Sequence, residues 1–99
     1  MLEEAAFSID THGSQVVVRG DLDLATAPRL QQALHGLDGD VTVNCRSLEF
    51  IDSTGLSVFV QAHNRLAEQH GRLRIEGLSE RCRRVFEISG LDQTLNLPS

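Results

Sequence analysis

The stretch Phe50-Ile51-Asp52-Ser53-Thr54-Gly55-Leu56-Ser57 joins an apolar strand end to a run with apolar residues at helical spacing. Such a junction exposes the unpaired N–H groups and the positive dipole end of the helix, so a hydroxyl there can cap the helix or carry a phosphate. Asp52, Ser53 and Thr54 are all capping types, each worth about 1 kcal/mol. Gly55 in the first turn costs about 1 kcal/mol against Ala, which suggests a close backbone approach by a partner at this point.

Working outward, helical periodicity continues through Leu56, Phe59, Val60, His63, Ala67 and His70 until Gly71. Upstream, Val41 to Cys45 reads as a strand. Thr26-Ala27-Pro28 opens a helix with Thr at the N-cap, carrying Ala27, Leu30, Leu34 and Leu37 on one face and ending at Gly36 and Gly39. Ala5 to Asp10, a turn at Thr11 to Ser14, and Gln15 to Arg19 form an expected hairpin closed by Gly20. Downstream, Arg72 to Glu76 alternates as a strand. Ser79-Glu80 opens a third helix bearing Cys82, Val85 and Phe86, and Ser89-Gly90-Leu91 closes it. Leu95 to Leu97 reads as a short last strand.

Alternation of strand and helix predicts a small α/β domain. Its central sheet is mainly parallel, with 4–5 strands, an N-terminal hairpin and 3–4 covering helices. The loops leaving the strands' carboxyl ends gather at one edge in such folds. Asp21, Asp23, Asp52 to Gly55, and Leu78-Ser79 are therefore expected together, with three carboxylates around Ser53.

The 99 residues, 40% of them hydrophobic, suit one domain. A formal charge of -5 without a basic run argues against nucleic acid and for a basic protein partner. All nine basic residues are arginine. P-loop, Schiff-base and lysine-base chemistries are thereby excluded, and a lysine-dependent phospho-aspartate receiver is disfavoured. Cys45 and Cys82 fit no metal spacing and read as buried apolar residues. No cofactor or metal is expected: Asp21, Asp23 and Asp52 lack further ligands of known spacing. Neither a signal sequence nor a long apolar run is visible, which points to the cytoplasm without membrane insertion. Arg81, Arg83 and Arg84 read as a solvated face of the third helix.

A hydrolytic Ser53 would need a histidine. His12, His35, His63 and His70 fall in a turn or on helices, His63 and His70 as packing positions, and no Gly-x-Ser-x-Gly elbow is present. The chain is therefore not expected to be an enzyme.

Gly20-Asp21-Leu22-Asp23, Leu48 to Leu56, and Phe86-Glu87-Ile88-Ser89-Gly90-Leu91, in that order, resemble a STAS domain of the bacterial anti-sigma factor antagonists. The resemblance covers nearly the whole chain and implies phosphorylation of Ser53 by a GHKL-type serine kinase that also sequesters a sigma factor. It further implies a PP2C-type phosphatase, a monomer when free, and a kinase-facing surface of Asp21, Asp23, Thr26, Asp52, Ser53, Thr54, Gly55 and Leu56. The alternative is a constitutive STAS subunit of a lipid-transporting ABC complex, which has no need of a phosphorylatable serine with hydroxyl neighbours.

Overall fold

A computed structural model describes residues 7–97. The chain runs β1 (Phe7–His12), β2 (Gln15–Leu22), α1 (Ala27–His35), β3 (Asp40–Ile51), α2 (Ser53–Glu68), β4 (Arg72–Glu76), α3 (Glu80–Ile88) and α4 (Leu91–Thr94). The sheet order is β1-β2-β3-β4, antiparallel in the first pair and parallel in the other two. The expected α/β fold with its N-terminal hairpin is therefore present.

Alternation decides how the layers stack. Val16 and Val18, Val41, Val43 and Cys45, and Leu73 and Ile75 are all buried. The residues between them, including Gln15, Arg19, Arg72 and Arg74, are exposed, and Thr42 and Asn44 are half-buried. Side chains alternate across a strand, so one sheet face meets the helices and the other faces solvent. Leu30 and Leu34 from α1, Phe59 and Leu66 from α2, and Cys82 and Phe86 from α3 complete a single core. The Phe59 and Phe86 rings meet at 5.8 Å between centroids.

Several expected boundaries move. Thr11 and His12 extend β1, so only Gly13 and Ser14 turn the hairpin, with Gly13 at φ 63; Ala5 and Ala6 lie outside the described residues. Gly20 does not end β2. It takes φ 94 beside one of two register shifts, at each of which β3 gains a residue over β2. β3 accordingly runs on to Ile51 instead of ending at Cys45. A bulge bends and twists its strand, and Arg46 N–H donates to Asn44 Oδ1 at 3.0 Å next to the first shift.

Helix α2 stops at Glu68, so Ala67 is exposed in its last turn and His70 lies outside it at φ 65. Neither belongs to the apolar face. Gly71 has a different reason for being glycine: a Cβ there would overlap the Gly39 carbonyl oxygen, and Arg72 N–H donates to the same oxygen at 3.1 Å. The last strand expected at Leu95 to Leu97 does not form: these residues turn away after the short helix α4, and Leu95 is buried. No helix among the described residues is long and apolar enough to cross a membrane.

Candidate functional site

The parallel pairing of β2 with β3 builds the site. Asp21 lies opposite Phe50 and Leu22 opposite Ile51; beyond the last pair, Asp52 N–H donates to the Leu22 carbonyl at 3.2 Å. Both strands thus end side by side, and their polar continuations share one edge. Asp52 is the N-cap of α2: its backbone is extended, and its Oδ1 accepts from Gly55 N–H at 3.0 Å. Ser53 is consequently the first helical residue and not the cap. It is exposed, and its carbonyl is engaged locally, accepting from Ser57 Oγ at 3.0 Å. A phosphate on the Ser53 hydroxyl would stand in solvent beside the positive end of a 16-residue helix.

The segment leaving β2 is held by its own polar groups. Thr26 Oγ1 donates to the Asp21 carbonyl at 2.7 Å and accepts from Asp23 N–H at 2.9 Å. Asp23 Oδ1 accepts from Ala25 N–H at 3.0 Å and Thr26 N–H at 3.2 Å. Thr26 precedes α1 as expected, but its side chain does not cap that helix; it ties the loop back to β2. The Asp23 carbonyl receives Ala27 N–H at 2.8 Å instead. Asp21 is exposed at the end of β2, while Asp23 and Asp52 are half-buried. Three carboxylates therefore line this edge.

Two sequence inferences need correction. Gly55 is buried, and a Cβ there would sit 2.9 Å from Ile51 Cγ1, Leu22 Cγ and the Leu22 carbonyl oxygen. The close approach that requires glycine comes from β2 and β3 of the same chain, not from a partner. Leu56 is likewise buried, at 5% exposure, so these two residues underlie the edge. Leu78-Ser79 does not join the site. β4 ends at Glu76 opposite Asn44, well short of the end of β3; Gly77 packs on Arg46, and the Cys82 thiol points to the Leu48 carbonyl at 3.7 Å. The long β3 created by the two bulges separates the two regions.

The remaining candidates are distributed elsewhere. His12 lies in β1, not in a turn, and His35 ends α1. His63 is half-buried and lines a groove of about 510 Å³ along the outer edge of β4 with Leu73, Ile75 and Leu95. That groove lies on β4, away from Ser53. Cys45 and Cys82 are both free and buried. Burial, reinforced by nearby Cys82, pushes the Cys45 thiol up to about 12. Among the described residues no group of three His, Cys, Asp or Glu side chains is placed to hold a metal ion. Arg81 and Arg84 are exposed, and Arg83 pairs with Glu87 one turn on at 3.2 Å.

Sequence reading did not single out Leu24 and Phe50, which stand exposed beside the carboxylates at 74% and 46%. Period-two alternation carries the missing signal for Phe50: adjacent to buried Ile51 in one strand, it must face the other way.

A family model described as "Mlab, STAS domain" matches residues 5–98. Among proteins of similar sequence, the anti-sigma-B factor antagonist of Bacillus subtilis is 36% identical over 86 residues, covering 84% of this chain and 79% of its own length. Among solved structures, an anti-sigma factor antagonist from Mycobacterium paratuberculosis superposes with a TM-score of 0.69 at 27% identity, over 94% of this chain and 85% of that one. The Bacillus cell fate determinant SpoIIAA in its phosphorylated form gives 0.65 at 26% identity, over 89% and 86%. The chain belongs to the STAS-domain family.

Proposed function

We propose that this protein is an anti-sigma factor antagonist whose unmodified form binds an anti-sigma serine kinase of GHKL type and frees a sigma factor, and whose binding is switched off by phosphorylation of Ser53. The observation that carries this reading is the placement of Ser53: an exposed hydroxyl at the first residue of α2, on an edge shared with Asp21, Asp23 and Asp52. The names of the relatives at 36% and 27% identity support the antagonist role. The constitutive lipid-transport subunit is not favoured, since the relatives of similar sequence are regulatory proteins by name.

The physics favours a change in binding over a change in fold. Phosphorylation adds roughly -1.5 to -2 charges. The helix N-terminus stabilises such charge by about 0.3 to 1 kcal/mol, so the fold survives. A partner carboxylate about 6 Å away would be repelled by about 1 to 5 kcal/mol for effective dielectrics from 80 to 20, which weakens association from about fivefold to more than about a thousandfold. Asp21, Asp23, Thr26, Asp52, Ser53 and Thr54 form the kinase-facing surface, supported from beneath by Gly55 and Leu56. A PP2C-type phosphatase resets the switch, and the cycle belongs to the cytoplasm.

The test is an affinity capture from the native cell's lysate with wild type and Ser53→Glu as paired baits and mass-spectrometric identification. The reading expects a GHKL-type kinase on wild type that is lost on Ser53→Glu. Transporter subunits retained on both baits would overturn it.

A further inference from the structure

Large apolar side chains are exposed at three described positions, Leu24, Phe50 and Ile88. Two of the three lie where the strands run into the site edge, Leu24 just past the end of β2 and Phe50 next to the last residue of β3. Phe50 pairs across the strands with Asp21, so its ring and that carboxylate emerge on the same, helix-free side of the sheet at its end. Leu24 sits in the turn between Asp23 and Thr26, at 74% exposure. That turn cannot relax to bury it. Four hydrogen bonds among Asp21, Asp23, Ala25 and Thr26 fix the backbone on either side. The core beneath is already filled by Leu22 at 0% and Ala27 at 2% exposure. A rigid loop that presents a leucine to water loses little entropy when a partner covers it.

We propose that Leu24 and Phe50 are the apolar anchors by which this edge docks on its protein partner, the anti-sigma kinase, at a surface where an apolar pocket is bordered by basic side chains. The charge pattern selects that chemistry: both anchors stand among Asp21, Asp23 and Asp52 on a chain of formal charge -5. Buried apolar anchors dominate interface energetics, whereas rim charges mainly steer and select. Affinity and switching are thus divided between two sets of residues. Leu24 and Phe50 hold the partner in the ground state and the phosphoryl-transfer transition state alike, and Ser53 reports the modification. This inference deepens the antagonist reading and rests on it.

The experiment uses the kinase identified with the wild-type bait, purified, and measures its affinity for wild type, Leu24→Ala, Phe50→Ala and Ile88→Ala by titration calorimetry. Circular dichroism melting verifies that each variant folds. Steady-state phosphorylation of Ser53 is followed in parallel. Truncating either anchor is expected to weaken binding about tenfold or more and to raise KM with kcat unchanged, because uniform binding is lost. Ile88→Ala, on α3, is expected to match wild type. Folded Leu24→Ala and Phe50→Ala proteins that bind as wild type does would overturn the anchors while leaving the antagonist reading intact. Failure of wild type itself to bind any such kinase would overturn both. Self-association of wild type that Leu24→Ala abolishes would also overturn the proposal, by assigning the patch to a second copy of the chain.

Discussion

Replacing Gly55 by Ala tests the account of how the site edge is built. In an unconstrained helix the exchange is stabilising by about 1 kcal/mol, because glycine carries the larger entropy loss. At this position the new Cβ would lie 2.9 Å from three atoms at once. Two of them belong to side chains with no room to retreat, Leu22 at 0% and Ile51 at 2% exposure. The third is the Leu22 carbonyl oxygen, which accepts from Asp52 N–H. Overpacking of this kind costs about 1 to 3 kcal/mol; with backbone among the obstructions we take the upper part of that range, about 2 to 3. Subtracting the helix gain leaves a net loss of about 1 to 2 kcal/mol. For a domain of this size that lowers the melting temperature by roughly 4 to 16 °C. The chain has neither Trp nor Tyr, so far-UV circular dichroism is the appropriate probe for thermal and urea unfolding. Gly36→Ala is the matched control: it has negative φ at -83 and nothing within 4 Å of a new Cβ, and is expected to melt at or above wild type. A Gly55→Ala protein as stable as wild type would refute the packing argument and restore the idea that glycine serves a partner's approach.

The remaining predictions concern the cap and the thiols. Asp52→Ala should cost about 1 kcal/mol in urea titrations through loss of the bond to Gly55 N–H, whereas Asp52→Asn, which retains a capping oxygen, should stay close to wild type. Stability should fall as pH rises from about 9 toward 12. The Cys45 thiol is raised from 9.0 to about 12 by burial and then by Cys82, so the unfolded chain loses its proton first and alkaline pH favours unfolding. The chain has no Lys and no Tyr to titrate in that window. Cys45→Ala should flatten the alkaline fall in melting temperature, and an unchanged pH profile would contradict this assignment. At pH 8 a disulfide-exchange reagent should label neither cysteine in the native protein faster than the chain opens, and rapid native labelling would contradict their burial.

Element order and type were legible because this chain punctuates its periodicities. Pro28 opens α1, alternation marks β4, and the run from Leu56 marks α2. The positions that misled were those where tertiary contacts override a local signal. Gly20 looks like a strand end, yet its positive φ serves the irregular β2–β3 pairing inside the sheet. The extra residues in β3 leave no trace in local propensity, since a bulge is defined by the partner strand's register; for that reason the Leu78-Ser79 loop was expected beside Ser53 and is not. Leu95 to Leu97 has strand composition but follows the left-handed Gly90, after which the chain enters one more helical turn and buries Leu95. At the site, the polar residues were legible from the strand-helix junction. Sequence did not show which residue caps, because Asp, Ser and Thr are chemically equivalent there; the extended backbone of Asp52 decides it and leaves Ser53 exposed. The apolar Leu24 was hidden because a leucine between Asp23 and Ala25, just ahead of a helix, reads as core until the loop geometry is known.

The Ser53 switch stands or falls on the affinity of the purified anti-sigma kinase for the unmodified protein and for the same protein phosphorylated on Ser53, its modification verified by intact mass and its fold by circular dichroism. Phosphorylation is expected to weaken binding by at least about fivefold, the lower end of the electrostatic range, while the melting temperature stays within a few degrees. Equal affinity of the two forms, with Ser53 quantitatively phosphorylated, would contradict it.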